Sequence, residues 1–325
     1  LRHRARLDFD CAKARVRDPR ANPRPNRASA ATISDRWSAS RALSESSATV
    51  DSPAMSNLFS RRPLFIGVVH LAPTPGAPRF RGSFEAVIER ASEDAAALRA
   101  GGCHALLVEN YGDAPFFPRG VPPETVASLA LCVRAVAQAA GGLPIGVNVL
   151  RNDARAALGV AAAAGAEFVR INVHNGTAVT DQGLLEGDAA VTLRERARLA
   201  PHVLLLCDAH VKHARPLGGG SLRDAVGDLV GRALADAVIV TGDATGCAPR
   251  VEDLEEARAA ARGAPVLIGS GLDDRNAAAL VPLADGAIVG TFLKRDGKIE
   301  NPVDRERVAR LARAMRDFAR PVVSP

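Results

Sequence analysis

From residue 64 onward, short runs of Val, Ile and Leu recur along the chain, each followed by an Ala-rich stretch whose apolar positions repeat with helical period. The runs predict eight strands, over 64–71, 105–110, 144–150, 167–173, 203–211, 237–242, 265–271 and 286–293. The stretches between them predict helices over 84–100, 122–140, 153–164, 187–200, 221–235, 251–262, 273–283 and 304–320. Ser83 and Ser221 stand at N-cap positions, and Gly101, Gly141 and Gly165 stand where helices should stop. Strands that are apolar throughout and alternate with helices belong to a parallel sheet covered on its faces. Eight such units in about 260 residues fit a closed α/β barrel, the (β/α)8 TIM barrel, typically about 250 residues long. The structural alternative is an open, doubly wound sheet, but no GxGxxG follows the first strand.

Residues 1–54 lack the pattern. They are rich in Arg, Ser, Ala and Pro, and such a segment buries too little apolar surface to offset the entropy of ordering. The expectation is a disordered leader over 1–54 and a barrel domain over 55–325. The chain begins with Leu1, and Met55 leads almost directly into the first strand. One reading therefore makes Met55 the natural start and the protein cytoplasmic. The rival makes residues 1–54 an organellar transit peptide, which their Arg and Ser favour and their six acidic residues disfavour.

Charge changes the picture only in the leader. The net charge is +6, but residues 1–54 hold 11 of the 42 Lys and Arg and 6 of the 36 Asp and Glu, so the remainder is almost neutral. A nearly neutral barrel argues against nucleic acid as a partner. No apolar run approaches the roughly 18 residues of a membrane span. Five cysteines without a CxxC pair fit reduced intracellular thiols, four of them small buried residues, with neither a disulfide nor structural zinc expected.

In a barrel, alternate strand residues face inward and active sites lie at the C-terminal strand ends. Period two places Leu204, Leu206, Asp208, His210 and Lys212 on one inward face, and Phe168, Arg170, Asn172 and His174 on another. Other strands add His70, Glu109 or Asn110, Asn148 with Arg151 beyond it, Thr241 and Asp243. Singly, each has a structural explanation: a hydrogen-bonded core histidine for His70, an Arg170–Glu109 ion pair, a loop anchor for Asp208. Converging on one rim, they point to a site. Asp208 and His210 are candidate acid and base. Lys212 could form a Schiff base or, the favoured role, neutralise a phosphate.

Arg170, His174 and Glu109 complete the candidate catalytic set. His70, Asn148, Arg151, Asn172, Asp181, Thr241 and Asp243 are candidate substrate contacts. His213, of opposite parity, is expected to brace its loop. The long connections 72–83, 111–120, 174–187 and 212–220 suit covers or rigid walls. Gly269, Ser270, Gly271, Gly290 and Thr291, at the ends of the last two strands, are a candidate phosphate site, because backbone N–H groups there can approach an anion.

Several segments resemble the successive motifs of the BtpA/SgcQ family: VVHLAPTPGAPRF, ENYGDAPF, GVNVLRND, VRINVHNGTAVTDQGLLEG, DAHVKHARPL, IVTGDATG, PVLIGSGL and DGAIVGTFLKRDGKIENPVD. The resemblance runs from about residue 64 to 310 and leaves out residues 1–54. It implies a barrel of the ribulose-phosphate-binding type in a family named for a photosystem I biogenesis factor. A nucleoside-triphosphatase label attached to some members finds no GxxxxGK[ST] loop in this chain.

Three functions follow as expectations. The first is an enzyme, a lyase, isomerase or hydrolase, acting on a small phosphorylated metabolite, either a sugar phosphate or a nucleotide-derived compound. The second is a hydrolase or lyase using a divalent metal held by some of His70, Glu109, His174, Asp208 and His210. The third is a non-catalytic biogenesis or assembly factor. A homo-oligomer is compatible with all three.

Overall fold

The computed structural model describes residues 57–242 and 246–319. The expected leader, residue 320 of the last expected helix, and Asp243 lie outside the described residues. Every apolar run forms a strand where the pattern put it. In chain order the strands are β1 (Leu64–His70), β2 (Ala105–Glu109), β3 (Ile145–Asn148), β4 (Phe168–Ile171), β5 (Thr177–Thr180), β6 (Gly183–Glu186), β7 (Leu204–Asp208), β8 (Ala214–Pro216), β9 (Ala237–Val240), β10 (Val266–Ile268) and β11 (Gly286–Val289). The helices are α1 (Phe84–Gly101), α2 (Pro123–Ala140), α3 (Ala154–Ala164), α4 (Ala189–Leu199), α5 (Leu222–Gly231), α6 (Val251–Ala260), α7 (Ala277–Leu280) and α8 (Arg305–Asp317).

Eight parallel strands close into a barrel in the order β1-β11-β10-β9-β7-β4-β3-β2, with Leu64 opposite Gly286 at the seam. Alternation sorts the apolar side chains. Leu64, Ile66, Leu107, Phe168, Leu204, Leu206, Ile239, Leu267 and Ile288 fill the interior, and Leu58 and Phe59, just ahead of β1, are buried with them. Phe65, Val69, Leu106, Val108, Leu205 and Cys207 face outward onto the helices. The interior accepts Phe168 because its neighbour on β3 is Gly146, where a Cβ would lie 2.1 Å from the phenyl ring.

Helix ends follow the capping residues. Ser83 and Ser221 accept hydrogen bonds from the backbone N–H groups of Ala86 and Asp224. Gly102, Gly141 and Gly165 end α1, α2 and α3 in the left-handed conformation; for α1 the cap falls one residue beyond Gly101. The helix expected over 273–283 shrinks to α7 and a 3-10 turn at Val281–Leu283. Pro282 has no N–H to donate and its ring crowds the preceding turn. No described helix is long and apolar enough to cross a membrane.

A three-stranded antiparallel sheet, β6-β5-β8, was not expected. Two connections read as plain loops build it: 174–187 supplies the hairpin β5–β6 and 212–220 supplies β8. Its inner face, Ala178 and Leu185, packs on Val173 and Val211. Val179 and Leu184 on the outer face are exposed. With apolar residues on both faces, the polar-apolar alternation that marks a strand is missing.

One buried ion pair fixes α1 to the far end of the chain. Lys294 donates to Asp94 at 2.5 Å, and Asp94 also accepts the backbone N–H of Val303. Cys103, Cys132 and Cys207 are buried, whereas Cys247 is exposed, a departure from the four buried thiols expected.

Candidate functional site

Strands β7, β4, β3 and β2 are consecutive neighbours in the barrel, so inward side chains at their C-terminal ends must meet in a row. They do so as one polar network. Asn148 donates to Glu109 at 3.0 Å. Arg170 donates to Glu109 at 3.4 Å and to both oxygens of Asp208 at 3.1 and 3.2 Å. Asn172 donates to Asp208 at 2.6 Å. All five residues are buried.

Burial raises the Glu109 carboxyl, but Arg170, then His70 and Lys212, outweigh it and hold the group below its usual range. Burial likewise opposes the Arg170 charge, yet its two carboxylates win and raise its pKa. His70, opposite Glu109 across β1 and β2, has Nε2 3.9 Å from that carboxylate. Burial, only partly opposed by Glu109, pushes His70 down to about 3, so its ring is neutral at pH 7.

Lys212 enters from the connection after β7, held there by Arg151, which donates to the Lys212 carbonyl at 2.7 Å. Burial, then Arg170, lowers the Lys212 pKa. Among the described residues Lys212 has no carboxylate within ion-pair distance.

Two cavities open around this group. The larger, about 970 Å³, is lined by Asn148, Arg151, Asp181, Tyr111 and Phe116 among others. The smaller, about 230 Å³, is lined by 269–273 and 289–292 with Arg275 and Arg307. His70, Glu109, Tyr111, Arg170 and Lys212 line both, so the polar network sits at their junction.

The glycines of the smaller cavity also have packing reasons. A Cβ on Gly269 would meet Ile239, one on Gly271 would meet Ala248, and one on Gly290 would lie 2.3 Å from the His70 ring. Ser270 turns its hydroxyl to the carbonyl of Cys247 at 2.9 Å. Thr291 opens a 3-10 turn on the cavity wall.

Two expected members are elsewhere. His174 is buried, bonds the carbonyl of Ala233 at 2.9 Å and lines neither cavity. His210 lines a third cavity, of about 440 Å³, whose wall includes Asn172 and Asp208; the acidic groups that act on it are Asp253 and Glu256, not Asp208. The reason is common to both: β4 ends at Ile171 and β7 at Asp208, and beyond the ladder the backbone turns, so period two no longer sets direction. Asp208 is therefore the partner of Arg170 and Asn172 and not of a histidine. Thr241 donates to the His210 carbonyl at 2.9 Å, a loop brace. His213, expected away from the site, lines the larger cavity.

Candidate metal donors do not converge. Among the described residues no group of three or more His, Cys, Asp or Glu could hold an ion.

Thr74, Asp113, Tyr111 and Phe116, not singled out from sequence, build the walls together with Asn110, the other inward candidate of the second strand. Asp113 accepts the N–H and hydroxyl of Thr74 and a bond from Asn110, whose own Oδ1 takes the N–H of Leu150 at 2.8 Å. That network locks the connections after β1, β2 and β3 together. Asn152 exchanges two hydrogen bonds with the Val173 backbone and extends the lock to the connection after β4. Tyr111 and Phe116 lay in the quoted ENYGDAPF segment, where an aromatic residue beside a strand end was the available signal.

Known proteins share this fold and sequence. A tryptophan synthase structure from M. tuberculosis is 19% identical with a TM-score of 0.51, covering 81% of this chain and 100% of that one. A (S)-3-O-geranylgeranylglyceryl phosphate synthase from Thermoplasma acidophilum is 10% identical with a TM-score of 0.52, over 82% and 99%. Both share the barrel alone.

Sequence relatives are far more similar. The photosystem I biogenesis protein BtpA of Synechocystis is 49% identical over 250 residues, 77% of this chain and 87% of that protein. An uncharacterised Thermococcus kodakarensis protein is 46% identical, over 80% and 97%. An uncharacterised Caenorhabditis elegans protein, named as mitochondrial, is 30% identical, over 81% and 96%. The BtpA family model matches residues 61–317, all but the outer ends of the chain that forms the barrel, and the protein is a member of the BtpA family.

Proposed function

We propose that this barrel is an enzyme acting on a small phosphorylated metabolite, with proton transfer at the junction of its two cavities. The observation that carries the reading is Lys212: a half-buried lysine without a carboxylate at ion-pair distance, between a cavity walled by glycine-rich strand ends and a larger one. Leaving a cation unpaired inside a protein is costly, and an anionic ligand removes that cost.

The phosphate would sit against 269–273 and 290–292, and the carbon skeleton would pass Lys212 into the larger cavity. There Lys212 and Arg170 stabilise negative charge as it develops on an oxygen. Ionised Glu109 is the proton acceptor of the His70–Glu109 pair; His70, which burial pushes down to about 3, is too weak a base to take a proton at pH 7. Asp208 and Asn172 act as positioning residues for Arg170.

The name of the Synechocystis relative favours a second reading, an assembly factor. A scaffold without turnover has no use for an unpaired lysine at a cavity junction. Differential scanning fluorimetry with sugar phosphates and their unphosphorylated parents, followed by product analysis of each compound that binds, separates the two. A phosphorylated compound should raise Tm where its parent does not, and Lys212→Ala should weaken binding at least about tenfold, roughly 1.4 kcal/mol. Equal shifts by the parents, or an unchanged Lys212→Ala, refute the metabolite reading.

A further inference from the structure

The phosphate reading leaves the larger cavity unexplained, because a phosphate and a short sugar chain need little beyond the smaller one. At about 970 Å³ against about 230 Å³, the larger space is that of a ring-bearing ligand. Its wall is aromatic where it adjoins the junction. Tyr111 packs edge-on to His70 with ring centroids 5.1 Å apart, and to Phe116 at 6.4 Å, so two rings meet at an angle of 61°. Leu71, Pro73 and Leu150 continue that wall. The same cavity presents Asn148, Arg151 and Asp181, donors and acceptors that match the ring carbonyl and amino groups of a heterocycle.

Order along the site matters as much as size. Glycine-rich strand ends lie on one side of Lys212 and Glu109, and Phe116, with Leu71 and Pro73, lies on the other, Tyr111 standing between them at the junction. A ligand filling both cavities therefore has a phosphate at one end, a flat ring at the other, and its reacting carbons between. We infer that the substrate is a sugar phosphate bearing a heterocyclic ring, a nucleoside monophosphate or a close relative, with the ring against Tyr111 and Phe116. This extension rests on the phosphate reading.

Isothermal titration calorimetry on the full chain tests it, with uridine and adenosine 5′-monophosphates, ribose 5-phosphate and inorganic phosphate as probes. At least one nucleotide should bind tenfold or more tighter than ribose 5-phosphate, since stacking of a base on an aromatic side chain is worth about that much or more. Phe116 lines the larger cavity and not the smaller. Phe116→Leu should therefore remove most of the margin and leave ribose 5-phosphate binding unchanged; Phe116→Met is the second variant should Phe116→Leu fail to fold. Nucleotides no tighter than ribose 5-phosphate, or a margin that survives both substitutions, overturn the extension while the phosphate reading stands. Failure of both ribose 5-phosphate and inorganic phosphate to bind overturns the phosphate reading, and the extension with it.

Discussion

Replacing Arg170 by methionine separates a structural network from a decorative one. The guanidinium lies 3.1 Å from Asp208 and 3.4 Å from Glu109, with side-chain exposures of 3%, 0% and 7%. At an effective dielectric near 20, each contact contributes about 5 kcal/mol of Coulomb attraction. Desolvation offsets much of that, and removing one partner of a buried pair costs about 3–5 kcal/mol because the other is left charged and unpaired.

The loss should depend on pH, and its sign is fixed. In the native protein the Glu109 pKa is depressed, so its contribution is present above the unfolded pKa and lost as pH falls through the folded one. Without Arg170, burial dominates and Glu109 takes up a proton when folded. The variant then binds more protons folded than unfolded, and its stability falls as pH rises, by up to about 1.4 kcal/mol per unit per proton.

Urea midpoints at about pH 5.5 and pH 8, with the denaturant slope checked for constancy, read both effects. Arg170→Met should lose about 3–5 kcal/mol at the higher pH and clearly less at the lower. Adding Glu109→Gln and Asp208→Asn should restore much of the loss. A loss below about 1 kcal/mol at pH 8, or one equal at both pH values, would refute the reasoning.

Two further outcomes follow from packing. Gly290→Ala places a Cβ against the His70 ring, so it should destabilise by about 1–3 kcal/mol and shift the ring's NMR resonances; unchanged stability with unchanged His70 signals would show that the ring has room. Lys294→Met should lose about 3–5 kcal/mol, and the double variant with Asp94→Asn should lose less, as thermal unfolding of the pair would reveal; equal losses would mean that the two do not act as a pair.

Strand positions were legible because a buried parallel strand writes a continuous apolar run, and all eight barrel strands fell within their expected ranges. Glu109, Asn148, Arg170 and Asp208 were legible for the same reason: each belongs to a strand, where parity fixes direction. His174 and His210 were misplaced because they lie past the last ladder bond, where direction depends on loop geometry that parity does not encode. The sheet β6-β5-β8 was hidden by pairs such as Ala178 with Val179 and Leu184 with Leu185, apolar on both faces. The aromatic corner escaped notice because no period governs a loop.

That corner has a spectroscopic consequence. Tyr111 is the one tyrosine in the chain, and the one tryptophan, Trp37, falls in the segment before the barrel. Burial raises the Tyr111 pKa, with Glu300 and Glu109 adding to it. Every phenol signal in the ultraviolet spectrum, from difference absorbance to the alkaline phenolate band, therefore arises from the wall of the candidate site. The protein carries its own optical reporter of cavity occupancy, without a label or an engineered probe.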